Sequence, residues 1–299
     1  FPLKIIRTEE KGDVPSSKKK LIERAINIAA GELILTTDAD VRHAPGWIRS
    51  FIELYESGET SMILGPVAYA GEKGCLGKFQ SLEMISLMGV TAGSCRMGFP
   101  LMCNGANLAY KKEAFLECGG YKGNQQFVSG DDMFLLMRII KKYGRKSVKF
   151  LLSPVAVVST KPQLTLRNFF SQRFRWVSKS RGYTDFRIIF TALSTYFFNL
   201  AMLSGFVIGI WNLPVLWTTL ILVVTRMLLE GPLVMLMAKF LGKEKLISLF
   251  PPMDLLYIPY VVITGFLGMI LPYQWKGRRV IRGGVVKGEL KQSPDPPAV

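Results

Sequence analysis

A long stretch without charged residues, in the last 40% of the chain, is the strongest single constraint on the fold. No residue between 188 and 225 carries a charge. A helix rises about 1.5 Å per residue, so this stretch is longer than one crossing of a ~30 Å hydrocarbon core requires. Asn212-Leu213-Pro214 interrupts it, which predicts a helical hairpin of roughly residues 188–211 and 215–238. A third apolar segment, about 247–272, predicts another membrane helix.

The second helix of this hairpin contains two charged residues, Arg226 and Glu230, four positions apart. Side chains at this spacing lie on the same face of a helix. Because unpaired charges inside a membrane are costly, we expect an ion pair between them. A functional role in the membrane is the alternative.

The chain is strongly basic. Hydrophobic residues make up 49% of its 299 residues, and the net charge is +16. This excess indicates an anionic partner: nucleic acid, anionic lipid headgroups or a phosphorylated substrate. Lys and Arg cluster at 161–187 and 276–291, beside apolar segments, which favours a membrane surface and no nucleic acid. Three crossings would place the tail opposite a cytosolic N-terminal domain, whereas its basic charge favours the cytosolic side, and the sequence leaves both open.

The four cysteines show no C-x-x-C spacing. We expect them to be reduced and mostly buried thiols of a cytosol-facing domain. The chain opens at Phe1-Pro2 without an initiator Met, and we expect an upstream part of the protein to precede it.

The first part of the chain alternates strand and helix patterns. The predicted order is a helix over 17–30, a strand over 33–40, a helix over 46–57 and a strand over 61–70. This alternation predicts an α/β domain with a mostly parallel sheet and helices on both faces. Further segments follow along the chain: helices at 76–92, 112–118 and 133–143, and strands at 108–110, 148–152 and 155–158.

Two carboxylates, Asp38 and Asp40, end the first predicted strand. Residues i and i+2 of a strand point to the same face, so the two side chains can converge on one hard cation, Mg²⁺ or Mn²⁺. Ligands gather just past the carboxyl ends of strands in α/β sheets. A plain strand-ending turn is the alternative, because Asp is common in turns.

Two further motifs stand downstream. Gly130-Asp131-Asp132 opens a predicted helix, where adjacent carboxylates serve either chemistry or helix capping. The segment 163–183 carries five cationic residues, no acidic one, and an aromatic face. That pattern predicts a helix lying in the headgroup layer, with a core-facing helix as the alternative. It contains Gln172-Arg173-Phe174-Arg175-Trp176.

Taken in order, these three motifs resemble those of the family-2 glycosyltransferases, especially the membrane-integrated branch with the cellulose, chitin and hyaluronan synthases. Lys18 and the loop Asn104-Gly105-Ala106-Asn107 also fit the family pattern. The resemblance implies a GT-A fold and transfer from a nucleotide-diphosphate sugar with inversion at the anomeric carbon. It also implies that strands carrying an acidic, base-reading residue precede Phe1.

The resemblance also implies roles for single residues. Asp38 and Asp40 would hold the metal, with Asp40 as its main contact. Asp132 would be the catalytic base, beside Asp131, which replaces the family's usual Glu. The implied donor and acceptor contacts are Lys18 at the nucleotide or phosphate, Asn104 and Gly105 in the site loop, Arg175 at the diphosphate, Trp176 stacked on the acceptor sugar, and Gln172 at the same mouth.

Blander alternatives accompany these roles. Arg and Trp are both common at bilayer surfaces, so Gln172, Arg175 and Trp176 can also form an interface anchor. Lys18 belongs to a run of three lysines, 18–20, which can also be a solvent-exposed stretch without a binding role. His43, the single histidine, lies three residues after Asp40 and is expected to be a polar loop residue rather than a metal ligand.

The sequence therefore predicts four regions: a GT-A domain over 1–160, an amphipathic interface helix over 161–186, transmembrane helices over 187–275 and a basic tail over 276–299. The predicted function is a metal-dependent, inverting hexosyltransferase in the plasma or inner membrane. It would use a UDP-sugar on the cytosolic side, with a lipid or a growing polysaccharide as acceptor. The alternatives are a non-catalytic membrane scaffold that retains the fold, and a phosphotransferase, disfavoured because no P-loop is present.

Overall fold

The computed structural model describes residues 4–6, 17–123, 127, 129–275, 278–281 and 284–285. The described helices are α1 (Ser17–Ile28), α2 (Trp47–Glu56), α3 (Gly74–Arg96), α4 (Lys112–Glu117), α5 (Asp131–Tyr143), α6 (Leu166–Ser178), α7 (Phe186–Gly209), α8 (Leu213–Phe240) and α9 (Phe250–Ile270). The described strands are β1 (Leu33–Thr37), β2 (Met62–Leu64), β3 (Val67–Tyr69), β4 (Asn107–Lys111), β5 (Val148–Phe150), β6 (Val158–Thr160), β7 (Tyr273–Trp275), β8 (Arg278–Ile281) and β9 (Gly284–Val285).

The central sheet has the order β1-β4-β2-β5. β2 pairs with β5 in parallel, and both β1 and β2 pair with β4 in antiparallel fashion. β1, β2 and β5 therefore run in one direction, with β4 inserted against them. The predicted α/β fold with a mainly parallel sheet, followed by long apolar helices, is confirmed.

Two predicted strands differ from the observed ones. The strand over 61–70 is divided at Gly65-Pro66 into β2 and β3, and β3 pairs with β6 in a second sheet. Pro66 lacks an N–H for the ladder, and its carbonyl accepts a hydrogen bond from Asn107 Nδ2 at 2.8 Å. The strand predicted around 155–158 is displaced toward the C-terminus, because a 3-10 turn, Pro154–Ala156, occupies its start and β6 begins at Val158.

Alternation along the strands divides the core of this α/β domain (β1–β6 with α1–α5). Met62 and Leu64 pack with α5 on one face of the sheet, while Ile63 packs with Phe51 of α2 on the other. Successive strand side chains point to opposite faces, so a strand covered by helices on both sides is apolar throughout. All three β2 residues are buried for this reason.

Three described helices, α7, α8 and the segment ending in α9, are long and apolar enough to cross a membrane. α7 and α8 form the predicted hairpin, and Asn212 caps α8 by accepting the N–H of Val215 at 3.3 Å. Gly205 and Gly209 lie directly against Thr219 and Leu216, because small residues let two membrane helices approach closely.

The predicted ion pair inside the membrane region is present but is part of a larger cluster. Arg226 Nε lies 3.6 Å from Glu230 Oε1. Arg226 also pairs with the buried Asp254 of α9 and donates to Asn199 Oδ1 of α7 at 3.0 Å. Sequence spacing could identify only the partner on the same helix.

All four cysteines are free thiols. Cys95, Cys103 and Cys118 are half-buried and Cys75 is exposed, so burial is less complete than predicted. Of the predicted basic tail, residues 278–281 and 284–285 form β8 and β9; the rest lies outside the described residues.

Candidate active site

A cavity of about 740 Å³ opens where the carboxyl end of β1 meets the start of α5 and one face of α6. Three segments far apart in sequence form its walls. Every residue predicted to contact substrate or metal lines it: Lys18, Asp38, Asp40, Asn104, Gly105, Asp131, Asp132, Gln172, Arg175 and Trp176. The fold therefore brings the predicted set together, and the role of each member remains a prediction.

The two aspartates at the first wall lie beyond the strand rather than on it. β1 ends at Thr37, and Asp38 and Asp40 occupy the following turn. The expectation that strand alternation aligns them is thus wrong, although both line the cavity. Asp38 accepts a hydrogen bond from Lys18 Nζ at 3.2 Å. Among described residues, none forms a hydrogen bond or ion pair with the Asp40 carboxylate.

Thr37 ties this turn to the neighbouring loop. Its hydroxyl donates to the carbonyl of Ala106 at 3.0 Å and lies 2.8 Å from His43 Nε2. The ring of His43 packs against Trp47, with centroids 4.3 Å apart. The expectation that His43 is a polar loop residue accords with this placement.

Asp132 is held on both carboxylate oxygens. Oδ2 accepts the N–H of Gly105 at 3.1 Å, and Oδ1 accepts the N–H of Met133 at 2.8 Å. The ammonium of Lys179 lies 3.5 Å from Oδ1. Burial raises the pKa of Asp132, but Lys179 and the two N–H groups outweigh it, so the pKa lies below its ordinary value. The carboxylate is therefore ionised and able to accept a proton.

The capping alternative for this motif holds only in part. Asp132 does accept one N–H of its own helix, but Gly105 belongs to the loop before β4. The carboxylate of Asp131 lines the cavity and, within the described part of the chain, accepts no hydrogen bond. Capping alone does not account for this pair.

The third wall is the cavity-facing side of α6. Thr165 caps this helix by accepting the N–H of Asn168 at 3.2 Å. Gln172, Arg175, Trp176 and Lys179 recur at intervals of three or four residues and all line the cavity, as one helix face should. No described carboxylate forms an ion pair with Arg175, and burial lowers the pKa of its guanidinium.

The sequence profile of glycosyl transferase family 21 matches residues 5–282. The chain belongs to this glycosyltransferase family. Family 21 is a family-2-like family, so the resemblance is confirmed at that level, while the branch of cellulose and chitin synthases remains a prediction. Comparison with curated protein sequences gives no match.

The donor atoms of this glycosyltransferase fit a shared metal site rather than a closed one. No group of three or more His, Cys, Asp or Glu side chains converges on one point in the described residues. Two aspartates alone are the protein share that Mg²⁺ commonly takes when substrate phosphates and waters supply the other ligands. Asp40, which has no hydrogen-bond or ion-pair partner among the described residues, and Asp38, whose described partner is Lys18, suit that division.

One buried residue that supports the cavity wall escaped sequence reasoning. Arg173, inside the Gln172–Trp176 motif, is buried and pairs with the buried Glu83 of α3. It also donates to Tyr260 of α9 at 3.1 Å and to Gln172 Oε1, and its guanidinium stacks on Trp176 at 4.3 Å.

The position of Arg173 contradicts the predicted division of α6 into a basic face and an aromatic face. Its guanidinium also stacks on Phe169 at 4.6 Å, so this cation lies on the aromatic side. Glu83, the one acidic residue of α3, was the available signal, since a buried carboxylate needs a cation beside it. Contact of α6 with lipid headgroups remains a prediction.

Proposed function

We propose that this family 21 protein transfers a hexose from a UDP-sugar to a lipid or polysaccharide acceptor, with inversion and with the help of Mg²⁺ or Mn²⁺. The observation that supports this is the shared cavity: the Asp38–Asp40 turn, the start of α5 and the polar face of α6 all line it. Each wall supplies one requirement of such a transfer. These are a site for diphosphate, a base and a platform for the acceptor.

The donor end contains the groups that suit a diphosphate. Asp38 and Asp40 would hold the divalent ion, which when bound neutralises the charge that develops on the leaving diphosphate. Lys18 and Arg175 add positive charge to the same cavity. Arg binds phosphate oxygens in a fork geometry, and no carboxylate in the described part of the chain pairs with Arg175.

The base end contains Asp132. In the proposed step Asp132 takes the proton of the acceptor hydroxyl, and the hydroxyl oxygen forms a bond to the anomeric carbon. The bond from that carbon to the diphosphate oxygen breaks on the opposite side, and UDP leaves with the electron pair. One displacement of this kind inverts the anomeric centre. The indole of Trp176 offers an apolar face on which an acceptor can stack.

The placement of α9 suggests which helices cross the membrane. Just before α9, Lys243 Nζ lies 2.8 Å from Glu72 Oε1 of the α/β domain. At its centre Tyr260 donates to Glu83 of α3. At its end Gly268 lies against Val177 of α6. A 21-residue helix that crossed a bilayer would have its ends about 30 Å apart, on opposite sides.

The segment that precedes α9 and the C-terminal end of α9 instead contact the α/β domain and α6. We therefore place α7 and α8 across the bilayer and α9 along its surface, on the side of the α/β domain. This arrangement puts the basic tail on that same side, which fits the positive-inside rule for a cytosolic active site. An epitope at the C-terminus should be accessible to protease only in vesicles in which the α/β domain is also accessible. Accessibility of one without the other contradicts this topology.

The function is tested by UDP release from a labelled UDP-sugar with membrane lipids as acceptor. We expect Asp132→Asn to lower turnover by about 10²–10⁴-fold, the usual contribution of a general base. Glu113→Gln, an exposed carboxylate of α4 outside the cavity, is the matched control and should be unaffected. Unchanged release by Asp132→Asn contradicts the assignment of the base.

The same assay separates an enzyme from a scaffold. EDTA should abolish turnover and weaken UDP binding, and Mg²⁺ or Mn²⁺ should restore both. Binding of UDP that EDTA leaves unchanged, without any turnover, would support the scaffold.

A further inference from the structure

The largely buried ammonium group of Lys179 lies beside Asp132, and the proposed transfer step does not involve it. Lys179 follows α6 directly, in the 3-10 turn Lys179–Gly182. Its side chain is 15% exposed, and that of Asp132 is 17% exposed. Nζ lies 3.5 Å from Oδ1 of Asp132, and Lys179 lines the same cavity as Gln172 and Trp176. Lys179, the counter-ion of the proposed base, therefore extends the helix face that carries the proposed substrate contacts.

The backbone around Asp132 leaves room for this lysine. Gly130 has a φ of 99°, a left-handed backbone conformation that glycine adopts at low cost and residues with a side chain rarely adopt. A Cβ at Gly130 would lie 3.1 Å from Cδ of Lys179 and 3.3 Å from its Cβ. Glycine before the two aspartates thus serves both the turn into α5 and the passage of the lysine side chain.

Several charged or titratable groups face Asp132 from the surrounding elements. They are Lys179 and Tyr183 after α6, Arg175 on α6, Lys18 and Lys19 on α1, Asp131 on α5, Tyr121 after α4, and Cys103 before β4. Of these, Lys179 is the cation that forms an ion pair with Asp132. Burial lowers the pKa of Lys179, but the Asp132 carboxylate outweighs it and the net pKa is raised, so this side chain stays an ammonium.

We propose that Lys179 is a positioning residue that orients the Asp132 carboxylate and keeps it ionised for removal of the acceptor proton. The proposal rests on the proposed function of Asp132 as the base. The ammonium has two effects on that base. It keeps a buried carboxylate charged, which burial alone opposes, and it makes the carboxylate a weaker base.

Removing the ammonium should therefore have a characteristic signature. With Lys179→Met or Lys179→Gln, burial of Asp132 is no longer opposed by a close cation, and its apparent pKa should rise by about 1 to 3. Lys179→Arg keeps the charge and should restore a value close to that of the wild-type protein. Lys141→Met, an exposed lysine on α5, is the matched control and should change nothing.

The first measurement requires no turnover. Infrared titration of the full chain in micelles follows the band of the protonated carboxyl, and Asp132→Asn identifies the contribution of Asp132. The band should appear at higher pH in Lys179→Met and Lys179→Gln than in the wild type and Lys179→Arg. If the carboxyl band of Asp132 titrates at the same pH in Lys179→Met, Lys179→Gln and the wild type, the proposal is overturned.

The second measurement is the pH dependence of UDP release. In Lys179→Met the acid limb should move to higher pH, while turnover above that limb stays within about tenfold of wild type. A uniform loss at every pH, without movement of the limb, would show a merely structural lysine and overturn the proposal. If the wild-type chain releases no UDP, the proposed function fails, but the infrared titration still decides the role of Lys179.

Discussion

Arg173 and Arg175 are two positions apart on α6, and the fold uses them in opposite ways. Arg173 is 2% exposed and directs its guanidinium at Glu83, with Nε 3.1 and 3.0 Å from the two carboxylate oxygens. Arg175 faces the cavity, and no described carboxylate pairs with it. Two residues along a helix are separated by about 200° of rotation, so a pair i, i+2 lies on different faces.

The difference between these arginines distinguishes two sides of α6: one that holds the helix to the rest of the fold and one that we propose to bind substrate. The Arg173 side binds α6 to α3 and α9 through Glu83 and Tyr260. A guanidinium whose donors are already used cannot bind substrate phosphate, whereas one without a protein partner can. We therefore expect loss of Arg173 to lower stability and loss of Arg175 to lower activity.

The largest expected effect is that of Arg173→Met. It leaves the Glu83 carboxylate buried without its cation, and breaking such a pair costs about 3 to 5 kcal/mol. Denaturant unfolding in detergent micelles should show this loss in the free energy of unfolding. Arg167→Met, on the same helix, is the control substitution and should cost much less, since Arg167 is exposed. Equal losses from both substitutions would contradict a buried supporting pair.

Arg175→Met should affect catalysis instead. Loss of one donor to a developing negative charge lowers kcat by about 10²–10³-fold, whereas the free energy of unfolding should change little. Turnover of UDP-sugar and unfolding are measured on the same preparation. Arg175→Lys, which keeps the charge but not the fork, should retain part of the activity. If Arg175→Met unfolds as readily as Arg173→Met, the proposed difference between the two sides of α6 is contradicted.

The double variant Arg173→Met with Glu83→Leu sharpens the meaning of the pair. Replacing both members of a buried ion pair by apolar residues is often nearly neutral. We expect it to regain more than half of the stability lost in Arg173→Met. Part should stay lost, because the Tyr260 hydroxyl then lacks its acceptor. A double variant that is less stable than Arg173→Met would show that Arg173 acts through contacts other than Glu83.

The smallest expected effect is that of Thr165→Ala, at the start of α6. The threonine hydroxyl accepts the N–H of Asn168, and loss of such a cap costs about 1 kcal/mol. This variant measures how far a small weakening of α6 affects both sides of the helix. Unfolding should be slightly easier, and Thr165→Ser should restore it. A large fall in turnover at unchanged stability would contradict the separation of roles.

Some features of the site could be predicted because the signal is local. The apolar stretch interrupted by Asn212-Leu213-Pro214 determines a helical hairpin, whatever the rest of the chain does. The order of motifs around Asp40, Asp132 and Trp176 indicated a glycosyltransferase, and the match to family 21 confirms that class. Local signals of this kind depend on hydrogen bonding and burial within one segment.

Other features required the packed molecule. The break between β2 and β3 depends on Asn107, whose amide donates to the carbonyls of Pro66 and Ala156, both at 2.8 Å. The residues around Gly65-Pro66 give no indication that Asn107 is the partner of this segment. The pairs Lys179–Asp132, Arg173–Glu83 and Arg226–Asp254 likewise join residues 28 to 90 positions apart, and a single sequence gives no distance between such residues.

The classes of segment in this protein follow from its amino-acid order alone: an α/β domain, a basic and aromatic helix, and apolar helices that follow it. They can be predicted because periodicity and composition act over one or two helical turns. Which charges meet and which stay available depends instead on how α3, α5, α6 and α9 pack together, and this packing joins residues that are distant in sequence. For a chain with 38 Lys and Arg residues, the pairing of each cation separates those that hold the fold from those that we propose to bind a diphosphate.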